Sequence, residues 1–234
     1  MKRSNVCVMC LLLAASVLTG CGNESWLTSD PVEHRVAVLR TPRWERPELP
    51  EPSESVPPHL PSWDVTQTER QWRYIVIHHS ASNYGNAATF DQAHRDRGWD
   101  ELGYHFVINN GHGGRDGKVE VGPRWSKQKH GAHCGGTPGN TYNEVGIGIC
   151  LVGDFSEEMP SDDQQQALES LVTYLAWKYN IPSHRIITHK DAPGSNTDCP
   201  GGELHAHVHS GFQRRVDYYL AQYPRRGSGW MAAR

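Results

Sequence analysis

Val145-Gly146-Ile147-Gly148-Ile149-Cys150-Leu151-Val152 is the stretch that decides the fold of this 234-residue chain. It is apolar almost throughout and broken only by two glycines, the composition of a strand buried on both faces at the centre of a sheet. Outward from it, short β-branched segments alternate with helical ones. Tyr74-Ile75-Val76-Ile77 reads as a second strand. Ala88, Phe90, Ala93 and His94 have helical spacing within 87–97, and Gly98 stands where a helix C-cap belongs. Residues 104–108 read as a strand, and a glycine-rich turn with Arg115-Asp116-Gly117 leads into 118–121, which makes a hairpin. Ser161 with Gln164 three residues on is a capping box. The helix it opens carries Leu168, Leu171, Val172, Leu175 and Tyr179 on one stripe, ends at Asn180 and cannot pass Pro182. Ile186-Ile187 is a short strand running into His189, and 212–223 reads as a closing helix. Alternating strands and helices with a hairpin inside predict an α/β fold: one domain with a central mixed sheet flanked by helices.

The amino-terminal third is different. A short basic start precedes an apolar stretch from Val6 to Leu18, too short to span a bilayer comfortably. It ends in Leu18-Thr19-Gly20-Cys21, which resembles a bacterial lipobox. The alternative is an ordinary secretory signal in which Cys21 is incidental. The lipobox reading makes 1–20 a lipoprotein signal and Cys21 the lipidated residue, with acyl chains holding the protein on a membrane surface. Gly22 then suits the periplasmic face of an outer membrane, so a lipid-anchored place in the bacterial cell envelope is expected. Residues 21–68 hold Pro31, Pro42, Pro47, Pro50, Pro52, Pro57, Pro58 and Pro61 among charged and small residues, and read as a disordered linker. Val36-Ala37-Val38-Leu39 is an exception that docks as an edge strand or stays mobile. The globular domain is expected over 69–225, and 226–234 as a tail. Net charge is −3 with histidine neutral, which leaves no basic footprint for nucleic acid.

Of six cysteines, Cys134, Cys150 and Cys199 remain beyond the signal and the lipobox, an odd number that argues against a full disulfide framework. His78 in Tyr74-Ile75-Val76-Ile77-His78-His79-Ser80, His189 in Thr188-His189-Lys190-Asp191, and Cys199 in Thr197-Asp198-Cys199-Pro200-Gly201 each end or follow an apolar run. Two imidazoles and one thiolate are three zinc ligands. They leave the fourth tetrahedral position to water, the arrangement of a catalytic rather than a structural site. One Zn2+ and zinc-dependent hydrolysis are therefore expected. His78 and His79 are neighbours in an extended segment and point to opposite sides, so only one enters a shared site.

Six segments occur in one order: His78-His79-Ser80, Gly98-Trp99, Leu102 to Ile108, Gly131-Ala132-His133, Gly146 to Gly153, and His189 with Thr197 to Gly201. Together they resemble the type 2 N-acetylmuramoyl-L-alanine amidases, the group containing the peptidoglycan recognition proteins and the phage T7 lysozyme. The resemblance implies that His78, His189 and Cys199 bind zinc. It implies that Tyr104 orients or deprotonates the attacking water or donates to the developing oxyanion. Thr197 falls where many members carry lysine and others threonine, and its hydroxyl would hydrogen-bond the tetrahedral intermediate. His133 matches a loop histidine facing the metal, which would polarise the carbonyl or accept a bond from substrate; the competing reading is a loop histidine near solvent. Peptidoglycan or its muropeptides are the implied partners, and a monomer is expected.

Departures remain. The interval from His189 to Cys199 is longer than in many recognition proteins. Lys127 and Lys129 meet acidic muropeptide groups or are simply solvated. Cys134 and Cys150 pair as a disulfide, or Cys150 is a core strand residue. His205, His207 and His209 read as a polar loop before the last helix, with adventitious metal binding as the alternative. The main functional alternative is a non-catalytic peptidoglycan-binding lipoprotein; members that bind without cutting typically lack the ligand cysteine. A zinc peptidase acting inside the stem peptide shares the metal but would release different products.

Overall fold

The computed structural model describes residues 56–223. The signal segment, Cys21, most of the proline-rich stretch with Val36–Leu39, and the tail 226–234 lie outside the described residues. Five strands, β1 (Tyr74–His79), β2 (Phe106–Ile108), β3 (Val119–Val121), β4 (Gly146–Leu151) and β5 (Ile186–Thr188), form one sheet in the order β3-β2-β4-β1-β5. The run that opened the sequence reading is thus the central strand, and all six of its residues are buried. β1 pairs in parallel with β4 and β5, β2 in parallel with β4, and β3 closes an antiparallel hairpin with β2. The sheet is mixed, as the pattern of elements predicts.

Successive residues of a strand face opposite sides, and this separates a packing face from a working face. Ile75 and Ile77, Phe106 and Ile108, and Ile147, Ile149 and Leu151 all join the main core. That face is covered by α4 (Asp162–Tyr179) through Leu168, Leu171, Val172 and Leu175. The alternate positions of β4 are Gly146, Gly148 and Cys150, opposite Tyr74, Val76 and His78 of β1. Small residues at the centre of the sheet leave a trough there. A smaller apolar cluster of Leu102, Val107, Cys150 and Val152 borders it, with Ala87 and Phe90 from α1 (Ala87–Asp96) packed alongside.

The capping box of α4 is formed: Ser161 Oγ accepts from the Gln164 backbone N–H (3.1 Å), and Gln164 Oε1 accepts from the Ser161 backbone N–H (3.3 Å). The buried Gln164 amide also donates to the carbonyls of Ile108 (3.3 Å) and Val152 (2.9 Å). One side chain therefore starts the helix and ties it to the ends of β2 and β4. Asn180 ends α4 in the left-handed region at φ 53°.

Two stretches differ from the sequence reading. Composition places residues 56–68 in the linker, yet Trp63 is only 3% exposed and sits in the main core, with Val56 and Val65 packed against it. Trp63 lies in a short 3-10 turn, and its carbonyl accepts from Trp125 Nε1 (2.9 Å); Asp64 accepts from the Tyr174 hydroxyl (2.7 Å). The prolines shape this stretch, but an indole and two valines give it enough apolar surface to dock.

The closing helix begins ten residues early. α5 (Gly202–His207) runs through a π-helical turn at Val208–Phe212 into α6 (Gln213–Leu220), so the three histidines lie on helix rather than loop. Leu204, Val208, Phe212 and Val216 are its buried stripe. Steps of four residues drift by about 40° each on an α-helix of 3.6 residues per turn. The wider π turn takes up that drift and keeps the four side chains on the core. Cys134, Cys150 and Cys199 are all free thiols, so the Cys134–Cys150 disulfide is not formed and Cys150 is a buried strand residue.

Candidate metal centre

His78 is the fifth residue of β1 and points into the trough, 1% exposed. His189 follows β5 directly and opens a 3-10 turn, His189–Asp191. Because β5 lies beside β1, the two imidazoles meet with ring centroids 4.7 Å apart. Cys199 arrives from the loop behind. Its carbonyl accepts from the Lys190 N–H (2.9 Å), and its own N–H donates to Thr197 Oγ1 (3.1 Å), which pins the loop back to the turn that carries His189. One potential ligand atom from each of His78, His189 and Cys199 lies within 4.8 Å of the others.

His78 Nδ1 stands 3.6 Å from Cys199 Sγ. A tetrahedral ion with Zn–S near 2.3 Å and Zn–N near 2.0 Å holds such donors roughly 3.5 Å apart, so the spacing fits zinc. The chemistry of the donors fits as well. Burial, helped by the neighbouring His133 and His189, keeps His78 well below the ordinary histidine range. Burial lowers His189 too, so both imidazoles are neutral and their lone pairs available at pH 7. Burial pushes the Cys199 thiol up to about 12, partly opposed by the His79 backbone N–H, which donates to the sulfur (3.4 Å). A cation in the centre would supply the missing stabilisation of the thiolate.

His133 sits beneath this triad and is buried. With His78 Nδ1 turned toward sulfur, His78 Nε2–H donates to His133 Nδ1 (3.0 Å), and His133 Nε2–H donates to the Gly146 carbonyl (3.3 Å). One choice of tautomers satisfies both rings. Neither nitrogen of His133 is left to reach a substrate, which departs from both sequence-based readings of this residue, the carbonyl-polarising group and the solvated loop histidine. Its backbone N–H and that of Cys134 both donate to Asn143 Oδ1 (2.8 Å each). The ring fits because Gly148 and Gly131 flank it: a Cβ at Gly148 would lie 2.3 Å from His133 Cδ2, and one at Gly131 2.4 Å from the same atom. Asn143 and the role of these glycines had no signal in the sequence beyond isolated small and polar residues.

Tyr104 precedes β2, with its ring 5.3 Å from that of His78 and stacked near His133. Burial raises its phenol well above the ordinary range, with the Cys150 and Cys199 thiols adding to the effect. A phenol raised in this way keeps its proton at neutral pH and can donate it in a hydrogen bond. Thr197 Oγ1 accepts from the Cys199 N–H, which leaves its hydroxyl proton free to be directed elsewhere. His79 points away from the triad and its Nδ1 accepts from the Phe155 N–H (3.4 Å). Lys127 pairs with the buried Glu101 (2.6 Å), and Lys129 with Asp100 and Glu101, so both charges are answered within the domain.

The sequence pattern of a protein family described as N-acetylmuramoyl-L-alanine amidase matches residues 68–202, a span that holds all three donors. Among curated proteins, peptidoglycan-recognition protein LB of Drosophila melanogaster is 30% identical over 148 residues, 58% of this chain and 58% of that protein. The endolysin of Escherichia phage T7 is 34% identical over 131 residues, 51% of this chain and 78% of that protein. Among solved structures, the N-acetylmuramoyl-L-alanine amidase LysC from Clostridium intestinale aligns with a TM-score of 0.51 at 31% identity, covering 63% of this chain and 86% of that one.

Proposed function

This chain belongs to the N-acetylmuramoyl-L-alanine amidase family, and from that premise we propose that it is a zinc-dependent amidase. Its substrate is the amide joining the lactyl group of N-acetylmuramic acid to L-alanine in peptidoglycan. The observation that carries this reading is the convergence of His78, His189 and Cys199, three donors and no fourth acidic, histidine or cysteine donor in the cluster among the described residues. When bound, zinc supplies a Lewis acid for the scissile carbonyl and acidifies water at its open position.

The chain's own groups do the rest. His133 accepts the His78 Nε2–H and fixes that ring's tautomer and tilt. Tyr104 keeps its proton and donates to the oxygen that gains charge as the carbonyl becomes tetrahedral. Thr197 steadies Cys199 and presents a second hydroxyl to the same region. The stem peptide lies along the polar loops of 111–143. The Leu18-Thr19-Gly20-Cys21 motif supports a lipid anchor that keeps a monomeric enzyme at the cell envelope.

The protein is incubated with cell-wall sacculi, with and without a chelator. New L-alanine amino termini that disappear with the chelator are expected, and Cys199→Ala is expected to lose metal and turnover together. A binding-only protein is the second reading, favoured by the likeness to a recognition protein. It predicts sacculus binding with no new amines, and full activity in Cys199→Ala would end the first reading.

A further inference from the structure

Asp191, His205 and His209 bring a second set of three donor atoms within 4.8 Å of one another. Asp191 closes the turn that His189 opens, but its carboxylate faces the other way, toward the carboxy-terminal helix. Asp191 Oδ2 accepts from His209 Nε2 (2.9 Å), and Asp191 Oδ1 lies 3.8 Å from His205 Nδ1. The two imidazoles are four residues apart, one helical turn, and their centroids are 4.7 Å apart. His209 stands where the helix widens into its π turn. The Thr188 hydroxyl and backbone N–H each donate to Asp191 Oδ2 (2.8 Å), which holds the carboxylate in place, and Thr188 Oγ1 lies 2.9 Å from His205 Nδ1.

The surroundings suit a cation. Among the described residues Asp191 is paired with these two histidines and with no lysine or arginine. The nearby Lys190 ammonium is turned to Asp198 (2.9 Å), and Arg215 takes His207 (3.0 Å) and Glu169 (2.6 Å). The side chains of Asp191, His205 and His209 are 24%, 31% and 42% exposed, so an ion can enter and retain water ligands. Two imidazoles and one carboxylate on one side of an ion are the donors of first-row divalent metals such as Zn2+, Ni2+ and Co2+, and they include no sulfur.

We propose that Asp191, His205 and His209 form a second divalent transition-metal site, separate from the His78–His189–Cys199 centre. Binding exchanges the His209–Asp191 hydrogen bond for two bonds to the ion. The alternative is that the three side chains are only a histidine–carboxylate hydrogen-bond network.

Cobalt separates the two centres, because only the Cys199 centre can give a sulfur-to-cobalt charge-transfer band. Metal-free full-length protein is titrated with Co2+ and followed by absorption, with bound metal counted by elemental analysis after dialysis. Two equivalents are expected: one with the charge-transfer band and one with ligand-field bands alone. His209→Ala and His205→Gln should each lose the second equivalent and keep the first. Cys199→Ala should do the reverse, which keeps a failure of this inference distinct from a failure of the proposed amidase centre. Saturation of the unmodified protein at one equivalent that carries the charge-transfer band would overturn the proposal without any variant having to fold. So would a second equivalent that persists unchanged in both histidine variants.

Discussion

Gly148→Ala tests whether His133 truly governs the metal centre from below. The added methyl would lie 2.3, 2.5 and 2.6 Å from Cδ2, Cγ and Nε2 of His133. Carbon contacts are comfortable at about 3.5–4.0 Å, so the ring must retreat by about 1 Å or more. Both ring nitrogens are held, by His78 Nε2 (3.0 Å) and by the Gly146 carbonyl (3.3 Å), so the retreat strains or breaks those bonds. Overpacking of this kind costs about 1–3 kcal/mol of stability. Displacing the ring also removes the partner of His78 Nε2, and loss of such a supporting partner typically weakens metal binding about 10–100-fold. The assay is chelator competition for zinc, with thermal unfolding of the metal-free protein measured separately. The double variant with His133→Ala supplies the control: once the ring is gone the methyl loses its three nearest contacts, so the two stability losses should fall well short of adding. Additive losses, or a Gly148→Ala protein that binds zinc as tightly as the unmodified one, would refute the reasoning.

Three further outcomes follow from the same geometry. Tyr104→Phe should leave metal stoichiometry intact while turnover of muropeptide falls by about 10²–10³-fold, the usual cost of losing one oxyanion donor; zinc loss in this variant would place the phenol in the wrong role. Zinc binding should release one proton from the ligands, because the Cys199 thiol sits near 12 without the ion while His78 and His189 are already neutral, and a further fraction from the acidified water as pH rises past about 7. The sign is that affinity rises with pH, at least about tenfold per unit between pH 7 and 9, and calorimetry in buffers of different ionisation heat counts the protons. Trp63→Ala should cost about 3–5 kcal/mol in denaturant unfolding, since it empties a core position from a segment that looks like linker; a loss under 1 kcal/mol would return 56–68 to the linker.

Much of the architecture was legible because it rests on local periodicity. The hydrophobicity of 145–152, the Ser161–Gln164 box and the left-handed stop at Asn180 each require particular residues within one or two turns of chain, and each is met. The carboxy-terminal helix was legible only in its second half. Its start at Gly202 breaks the usual cap pattern, and the alternating His205, His207 and His209 mask the four-residue spacing of Leu204, Val208 and Phe212. The docking of Trp63 was hidden for a related reason: composition reports the average of a segment, while one indole in a waiting core cavity decides its fate. Tyr104 shows the same limit at the site, since residue type does not tell that burial and the Cys150 and Cys199 thiols hold its phenol well above the ordinary range.

The order of strands and helices, and the presence of two imidazoles and a thiol at the ends of buried segments, belong to the sequence alone, because residue type and spacing are local properties. The tertiary structure decided which nitrogen of His78 faces the sulfur, that His133 hydrogen-bonds His78 and the Gly146 carbonyl, and that Asp191 meets His205 and His209. Those are distances between residues far apart in the chain. They exist only once the small side chains of β4 have opened one face of the sheet and the isoleucines have closed the other.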